Sequence, residues 1–161
     1  MSTAPLVDSR KDYTDHTFTY KTVALKDGNT WLAESFNYYK DTPQNEGCQG
    51  WHWSGESLQS RTYGVYYQLE TLTSVVPEGW HIPTVEEWTA MINCYGGIEN
   101  CYGALIKGGS SGLDLNIAGG NYFTKQECGL RDFGFYWSSS VSATDDDCVS
   151  VFRLQQDIKK A

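Results

Sequence analysis

The segment Pro83-Thr84-Val85-Glu86-Glu87-Trp88 constrains the fold most strongly, because it encodes the start of a helix. Thr84 is a preferred N-cap residue, and Glu87 stands three positions later, where it can close a capping box with Thr84. Gly96-Gly97 predicts the helix end, since glycine readily adopts the left-handed conformation that follows many helices. One face at helical spacing is predicted to be buried and carries Val85, Trp88 and Ile92.

The patterns around this helix predict a mixed fold. Residues 18–25 and 30–35 are rich in strand formers and flank an Asp27-Gly28 turn, which predicts a β-hairpin. The spacing of Tyr66, Leu69 and Leu72 predicts a short helix over residues 63–74, after a long loop over 37–60. Short strands are predicted late in the chain, within FGFYWSSSV and CVSVFRL. Early helices followed by short strands indicate one α+β domain.

Length and charge set the domain organisation and exclude some partners. The chain has 161 residues, a size typical of one domain, and its polar first residues predict a loose arm over 1–16 followed by a domain over 17–161. Its net charge of −8 provides no basic surface for nucleic acid. We expect no membrane span, since no apolar run approaches about 18 residues, and the sequence shows no signal peptide. The compartment is left unassigned; a cell-surface or particle-borne protein is one option.

Standard catalytic and metal-binding patterns are missing from the sequence. The chain has no nucleophile elbow, phosphate-binding loop or dinucleotide fingerprint, and its three histidines lack metal-ligand spacing. Asp145-Asp146-Asp147 lacks the alternating spacing of a calcium loop and is predicted to be a solvated turn. Cys94 and Cys101 suit either a disulfide or two buried thiols. We therefore expect no catalytic residues, no metal and no cofactor.

Five ordered segments identify a family resemblance. The segment PEGWHIPTVEEW at 77–88 resembles the signature PxGWHLPTxxEW of the Fibrobacter succinogenes major paralogous domain family. The other four resemble further motifs of that family in the same order: NTWLAESFNY at 29–38, YGVYY at 63–67, SGLDL with AGG at 111–120, and FYWSS at 135–139. The resemblance implies a C-type lectin-like fold related to that of the formylglycine-generating enzyme, with two helices and twisted, irregular antiparallel sheets.

The resemblance also implies a location for the ligand surface. The tail RDFGFYWSSSVSATDDDCVSVFRLQQ is similar to the variable segment of retroelement-diversified proteins of this fold, in which residues around a YWSS-like strand change ligand specificity. The implied ligand-binding residues are Asp132, Phe133, Tyr136, Ser142, Thr144, Asp145, Asp146, Asp147, Ser150 and Phe152. The implied scaffold residues are Trp80, Trp88, Trp137, Ser138 and Ser139. Large aromatic residues are usually buried, so we assign Trp31, Trp80, Trp88 and Trp137 to the core.

The leading functional hypothesis is a non-enzymatic domain that binds a protein or another macromolecule through a diversified C-terminal surface. Its acidic loop, Asp145 to Asp147, favours a partner with basic patches. One alternative is an oxidase of the formylglycine-generating type, which needs a reactive thiol. Another is a structural cell-surface or fibre module, which predicts stable self-association. The sequence does not specify the oligomeric state.

Overall fold

The computed structural model of the chain describes residues 3–12, 14–38, 50–51, 63–67, 69–121, 127–128, 132–142 and 149–156. It is an α+β fold with few helices and small antiparallel sheets. The helices are α1 (Leu69–Val75), α2 (Val85–Cys94) and α3 (Tyr102–Leu105). The strands are β1 (Leu6–Asp8), β2 (Phe18–Tyr20), β3 (Thr22–Ala24), β4 (Thr30–Leu32), β5 (Gly50–Trp51), β6 (Tyr66–Tyr67), β7 (Gly120–Asn121), β8 (Glu127–Cys128), β9 (Phe133–Val141) and β10 (Val149–Gln155). The strands pair as β1 with β2, β3 with β4, β5 with β6, β7 with β8 and β9 with β10.

The N-terminal residues are packed, so the predicted loose arm is wrong for the residues around β1. β1 pairs with β2, with Val7 opposite Thr19, and Asp8 is buried. Arg10 donates two side-chain hydrogen bonds to the Asp8 carboxylate at 2.8 and 2.7 Å and a third to the Val75 carbonyl at 2.7 Å. The segment is polar in sequence but ordered in the structure, because its charged residues bond to each other and to α1.

The predicted hairpin around Asp27-Gly28 is confirmed. β3 pairs with β4, and the turn is closed by hydrogen bonds from the Leu25 N–H to the Asn29 carbonyl and from the Gly28 N–H to the Leu25 carbonyl. The predicted single strand over 18–25 is divided, because β2 pairs with β1 instead. The helix predicted over 63–74 begins later, at Leu69, since residues 66–67 form strand β6.

Helix α2 has the predicted capping box. The Thr84 hydroxyl accepts the Glu87 N–H at 3.1 Å, and the Glu87 carboxylate accepts the Thr84 N–H at 2.8 Å. Gly97 follows the helix at φ +76° and donates its N–H to the Ile92 carbonyl, as predicted. Trp88 and Ile92 are buried, but the prediction for Val85 is wrong: its side chain is 38% exposed, because the first turn extends beyond the core.

The strands β9 and β10 form the longest pair. Tyr136 lies opposite Phe152 and Gly134 opposite Leu154, and the pairing is interrupted by a register shift between Val149 and Val151. The inner face of this pair carries Gly134, Tyr136, Ser138, Phe152 and Leu154. We call the other face the outer face; it carries Phe133, Phe135, Trp137, Val151 and Arg153.

Two hydrophobic clusters make up the described core. The larger cluster joins β3, β4, α2, α3 and β10 and includes Trp31, Trp88, Met91, Leu105, Leu113, Phe152 and Leu154. The smaller cluster has three buried members, Tyr38, Tyr67 and Val75. Half-buried side chains pack against the smaller cluster, namely Phe18, Phe36, Val65, Ile82 and Trp137. β9 separates the two clusters, since Tyr136 packs on the larger one and Trp137 on the smaller one.

Candidate functional site

A cavity of about 550 Å³ lies between the two clusters. The larger cluster contributes Trp31, Trp88 and Tyr136 to its wall, and the smaller cluster contributes Phe36, Tyr67, Ile82 and Trp137. Residues 113–116 and 118–119 also belong to the wall. Its volume is within the range of ordinary ligand sites, roughly 300–1,000 Å³.

Aromatic contacts and hydrogen bonds hold the wall on the side of the larger cluster. The rings of Trp31 and Trp88 lie 4.9 Å apart between centroids, and those of Trp88 and Tyr136 lie 6.1 Å apart. The Trp31 indole N–H donates to the Asp27 carboxylate at 3.0 Å, and the Trp88 indole N–H donates to the Trp137 carbonyl at 3.2 Å. These bonds fix both indoles, so this wall is formed without a ligand.

Segment 116–119 is tied to β9 and β6 by tyrosine hydroxyls. Tyr136 donates its hydroxyl to the Asn116 carbonyl at 2.7 Å, and Tyr66 donates to the Ala118 carbonyl. Burial raises the pKa of Tyr136, so this hydroxyl stays a donor at neutral pH. Gly134 permits the close approach, because a Cβ atom there would lie 2.5 Å from the Asn116 carbonyl oxygen.

The charged residues of the wall are acidic. Glu34, Glu87 and Asp114 line the cavity, and among the lining residues that the structure describes there is no Lys or Arg. The hydrogen bond from the Thr84 backbone N–H, followed by His81, lowers the pKa of Glu87. His81 Nε2 lies 2.8 Å from Glu87 Oε1. The Asp114 carboxylate accepts the Gly108 N–H at 2.8 Å. The wall is therefore aromatic and negatively charged.

The residues implied as ligand-binding divide into separate groups. Asp132 is exposed, whereas Phe133, Ser142 and Ser150 are half-buried, and Tyr136 lines the cavity. Phe152 is only 7% exposed and stacks on Trp88 at 4.7 Å within the larger cluster. A surface role for Phe152 is thus wrong, because it faces inward opposite Tyr136. Residues 144–147 lie outside the described part of the chain.

The implied scaffold residues are divided between core and cavity. Trp88 and Ser138 are buried, and the Ser139 N–H donates to the Pro83 carbonyl at 2.9 Å, which joins β9 to the start of α2. Trp80 and Trp137 are half-buried and line the cavity; Trp137 also packs against the smaller cluster, whereas Trp80 belongs to neither cluster. Both belong to the quoted family motifs, but motif membership alone does not distinguish core from cavity wall.

The cavity is formed by segments that resemble family motifs, but the sequence alone did not predict it. All five segments resembling family motifs contribute side chains to its wall. The described lining residues outside these segments are Val75, Val76 and Asn116. Glu34 and Asp114 gave no signal of their own, since each is a single acidic residue in a different part of the chain. The signal available in the sequence was that both residues belong to segments resembling family motifs.

Cys94 and Cys101 are free thiols rather than a disulfide. Cys101 is buried and Cys94 is half-buried. Burial raises the pKa of Cys101, which disfavours its thiolate. In the described ranges, no group of three or more His, Cys, Asp or Glu side chains is arranged to hold a metal ion.

Comparison with known proteins gives one match. The model of the Fibrobacter succinogenes major domain matches residues 17–160. Searches among curated proteins and among solved structures gave no match. No helix within the described residues has the length and apolarity needed to cross a bilayer.

Proposed function

The chain belongs to the Fibrobacter succinogenes major domain family, and on that basis we propose that it is a non-enzymatic binding module with a C-type lectin-like fold. Its ligand is a protein or another macromolecule that lies on the outer face of β9 and β10 and reaches into the cavity. The observation that carries the proposal is the convergence of all five motif segments on one cavity beside β9. A pre-formed cavity with apolar walls and a few polar groups is typical of binding sites.

The outer face supports the proposal through its composition. Val151 is 48% exposed and lies opposite Trp137, which lines the cavity. The Arg153 guanidinium carbon lies 5.6 Å from the centre of the Phe133 ring, and that ring lies 5.8 Å from the Phe135 ring. Aromatic rings beside apolar and charged side chains are common in protein interfaces. The tail's resemblance to retroelement variable proteins supports the same surface.

The proposal is tested by selecting binders from a displayed random-peptide library against the whole chain. Dissociation constants of the selected peptides are then measured for Val151→Arg and for Ile98→Arg. The second variant is a matched control, because Ile98 is also an exposed apolar residue but lies neither on the outer face of β9 and β10 nor in the cavity wall. We expect Val151→Arg to weaken binding at least about tenfold, since central interface contacts dominate affinity, and Ile98→Arg to leave it unchanged. Equal effects, or a selection that yields no binders, would contradict the proposal.

The oxidase alternative gains no support from the described thiols. A reactive cysteine needs a depressed pKa in an electropositive setting, whereas the pKa of Cys101 is raised by burial. We expect slow labelling of the native chain by a thiol reagent at Cys101. A cysteine that reacted faster than free glutathione at pH 7 would favour the enzyme instead.

A further inference from the structure

We infer that the cavity binds an organic cation, namely the guanidinium or ammonium group of an Arg or Lys side chain presented by the partner protein. The inference rests on the proposed function and specifies the chemistry of its ligand. Two independent properties of the cavity carry it, its aromatic wall and its charge.

The aromatic wall offers ring surface to a cation. Cations bind over the faces of Trp, Tyr and Phe at roughly 6 Å or less from the ring centre, and Trp is the most favourable. Trp80 and Trp137 line the cavity and are only half-buried, so part of each indole is open to a ligand. The aliphatic stem of Arg or Lys can pack on the apolar lining residues while its charged end meets the rings.

The charged side chains point to the same class of ligand. Glu34, Glu87 and Asp114 line the cavity, and its described lining residues include neither Lys nor Arg. Glutamate is ionised at neutral pH, and the hydrogen bond from the Thr84 N–H lowers the pKa of Glu87 further. Its neighbour His81 is the remaining basic group in the described wall, and it is already bonded to Glu87. An entering cation therefore finds opposite charge, while an anion would meet repulsion.

Backbone N–H groups at the start of α2, which could attract an anion, are bonded within the chain. The Val85 N–H donates to the Ser140 hydroxyl at 2.9 Å, and the Glu87 N–H donates to Thr84 Oγ1 at 3.1 Å. Two of the donors that would hold a phosphate or carboxylate at a helix N-terminus are thus not available to a ligand. The whole chain also carries a net charge of −8, which favours approach of a basic partner.

A matched pair of small probes tests the inference. N-acetyl-arginine methylamide and N-acetyl-citrulline methylamide have nearly the same shape, but only the arginine derivative is charged. Each is titrated into the ¹⁵N-labelled full chain while the indole N–H signals of Trp80 and Trp137 are followed. We expect the arginine derivative to shift both signals. It should bind at least about tenfold more tightly than the citrulline derivative, because a charged donor forms stronger hydrogen bonds with a carboxylate than a neutral donor does.

A pair of variants identifies the carboxylate. Glu87→Gln keeps a side chain that can close the capping box and removes the charge from the wall. Glu86→Gln removes the same charge from an exposed neighbour that does not line the cavity. We expect Glu87→Gln to weaken binding of the arginine derivative about fivefold and Glu86→Gln to change it less than about twofold, because screening weakens distant charges.

The outcomes separate this inference from the proposed function. Equal affinity for the two probes, or equal effects of the two variants, overturns the cationic ligand but leaves a binding cavity. Absence of binding by the arginine derivative, or binding that shifts neither indole signal, also overturns it. The proposed function itself fails if the selection yields no binders, or if Val151→Arg and Ile98→Arg affect the binding of the selected peptides equally.

Discussion

The two hydrophobic clusters differ in how completely they are closed. The larger cluster contains Met91, Leu105 and Leu154, which have no exposed surface. The smaller cluster has three buried residues, and much of the apolar surface around it is half-buried and borders the cavity. On the proposed function, the two clusters divide their roles: the larger one supplies most of the stability, and the smaller one leaves aromatic surface for the ligand.

The largest effect is expected from a cavity-forming substitution in the larger cluster. Leu154→Ala should lower the free energy of unfolding by about 3 kcal/mol, because it removes fully buried methyl groups. The control is Val151→Ala, three positions earlier in β10 and half-exposed, which should cost less than about 0.5 kcal/mol. Both are measured by urea unfolding. Equal losses would remove the distinction between the closed cluster and the surface of the hairpin.

The next largest loss of stability is expected at Arg10, which bonds to Val75 of the smaller cluster. Arg10→Ala leaves the buried Asp8 carboxylate without its ion pair and frees the Val75 carbonyl, so it should cost about 2 kcal/mol. Lys11→Ala is the matched control, since the Lys11–Asp15 pair is exposed and should contribute about 0–0.5 kcal/mol. Thermal or urea unfolding distinguishes them. If Arg10→Ala were as mild as Lys11→Ala, the N-terminal segment would not stabilise this side.

A smaller effect is expected at the cap of α2, the helix that contributes Trp88, Met91 and Ile92 to the larger cluster. Thr84→Ala removes the hydroxyl that accepts the Glu87 N–H and should cost about 1 kcal/mol. Thr84→Ser keeps that hydroxyl and should recover most of the loss. If the free energy of unfolding fell by the same amount in both variants, the hydroxyl would make no contribution.

The smallest effect is a pH dependence at Glu87. Folding lowers its pKa, so its contribution is fully present above the pKa of an unfolded glutamate, about 4.5, and is lost as the pH falls through the folded value. Glu87→Gln should therefore reduce stability at pH 7 by about 0.5 kcal/mol, a small amount because solvent screens the group. The difference from wild type should shrink below pH 4.5 in urea unfolding series. A difference that is constant with pH would contradict this reasoning.

The sequence predicted those elements that depend on neighbouring residues. The capping box at Thr84, the glycine exit at Gly97 and the turn at Gly28 each require only a few adjacent positions, and all three are observed. Strand β1 was missed because its stability comes from pairing with β2 and from contacts with α1, which composition does not record. Val85 was misplaced because periodicity gives the direction of a side chain but not where the core ends.

The candidate site was less predictable, since its wall joins residues that are far apart in the chain. Glu34 and Trp137 line one cavity although about a hundred positions separate them. The alternation of β9 could have placed Tyr136 and Trp137 on opposite faces, but both faces of this strand border apolar clusters. Phe152 was misassigned for the same reason, because a strand next to a polar loop can still face the core.

Hydrogen–deuterium exchange on the chain bound to a selected peptide tests the central claim most directly. We expect slower exchange in residues 77–83, 113–119 and 133–137, which line the cavity or lie beside it. Exchange in residues 92–109, a segment without described lining residues, should not change. Protection confined to residues 92–109, with the cavity segments exchanging as in the free chain, would contradict the assignment of the binding site.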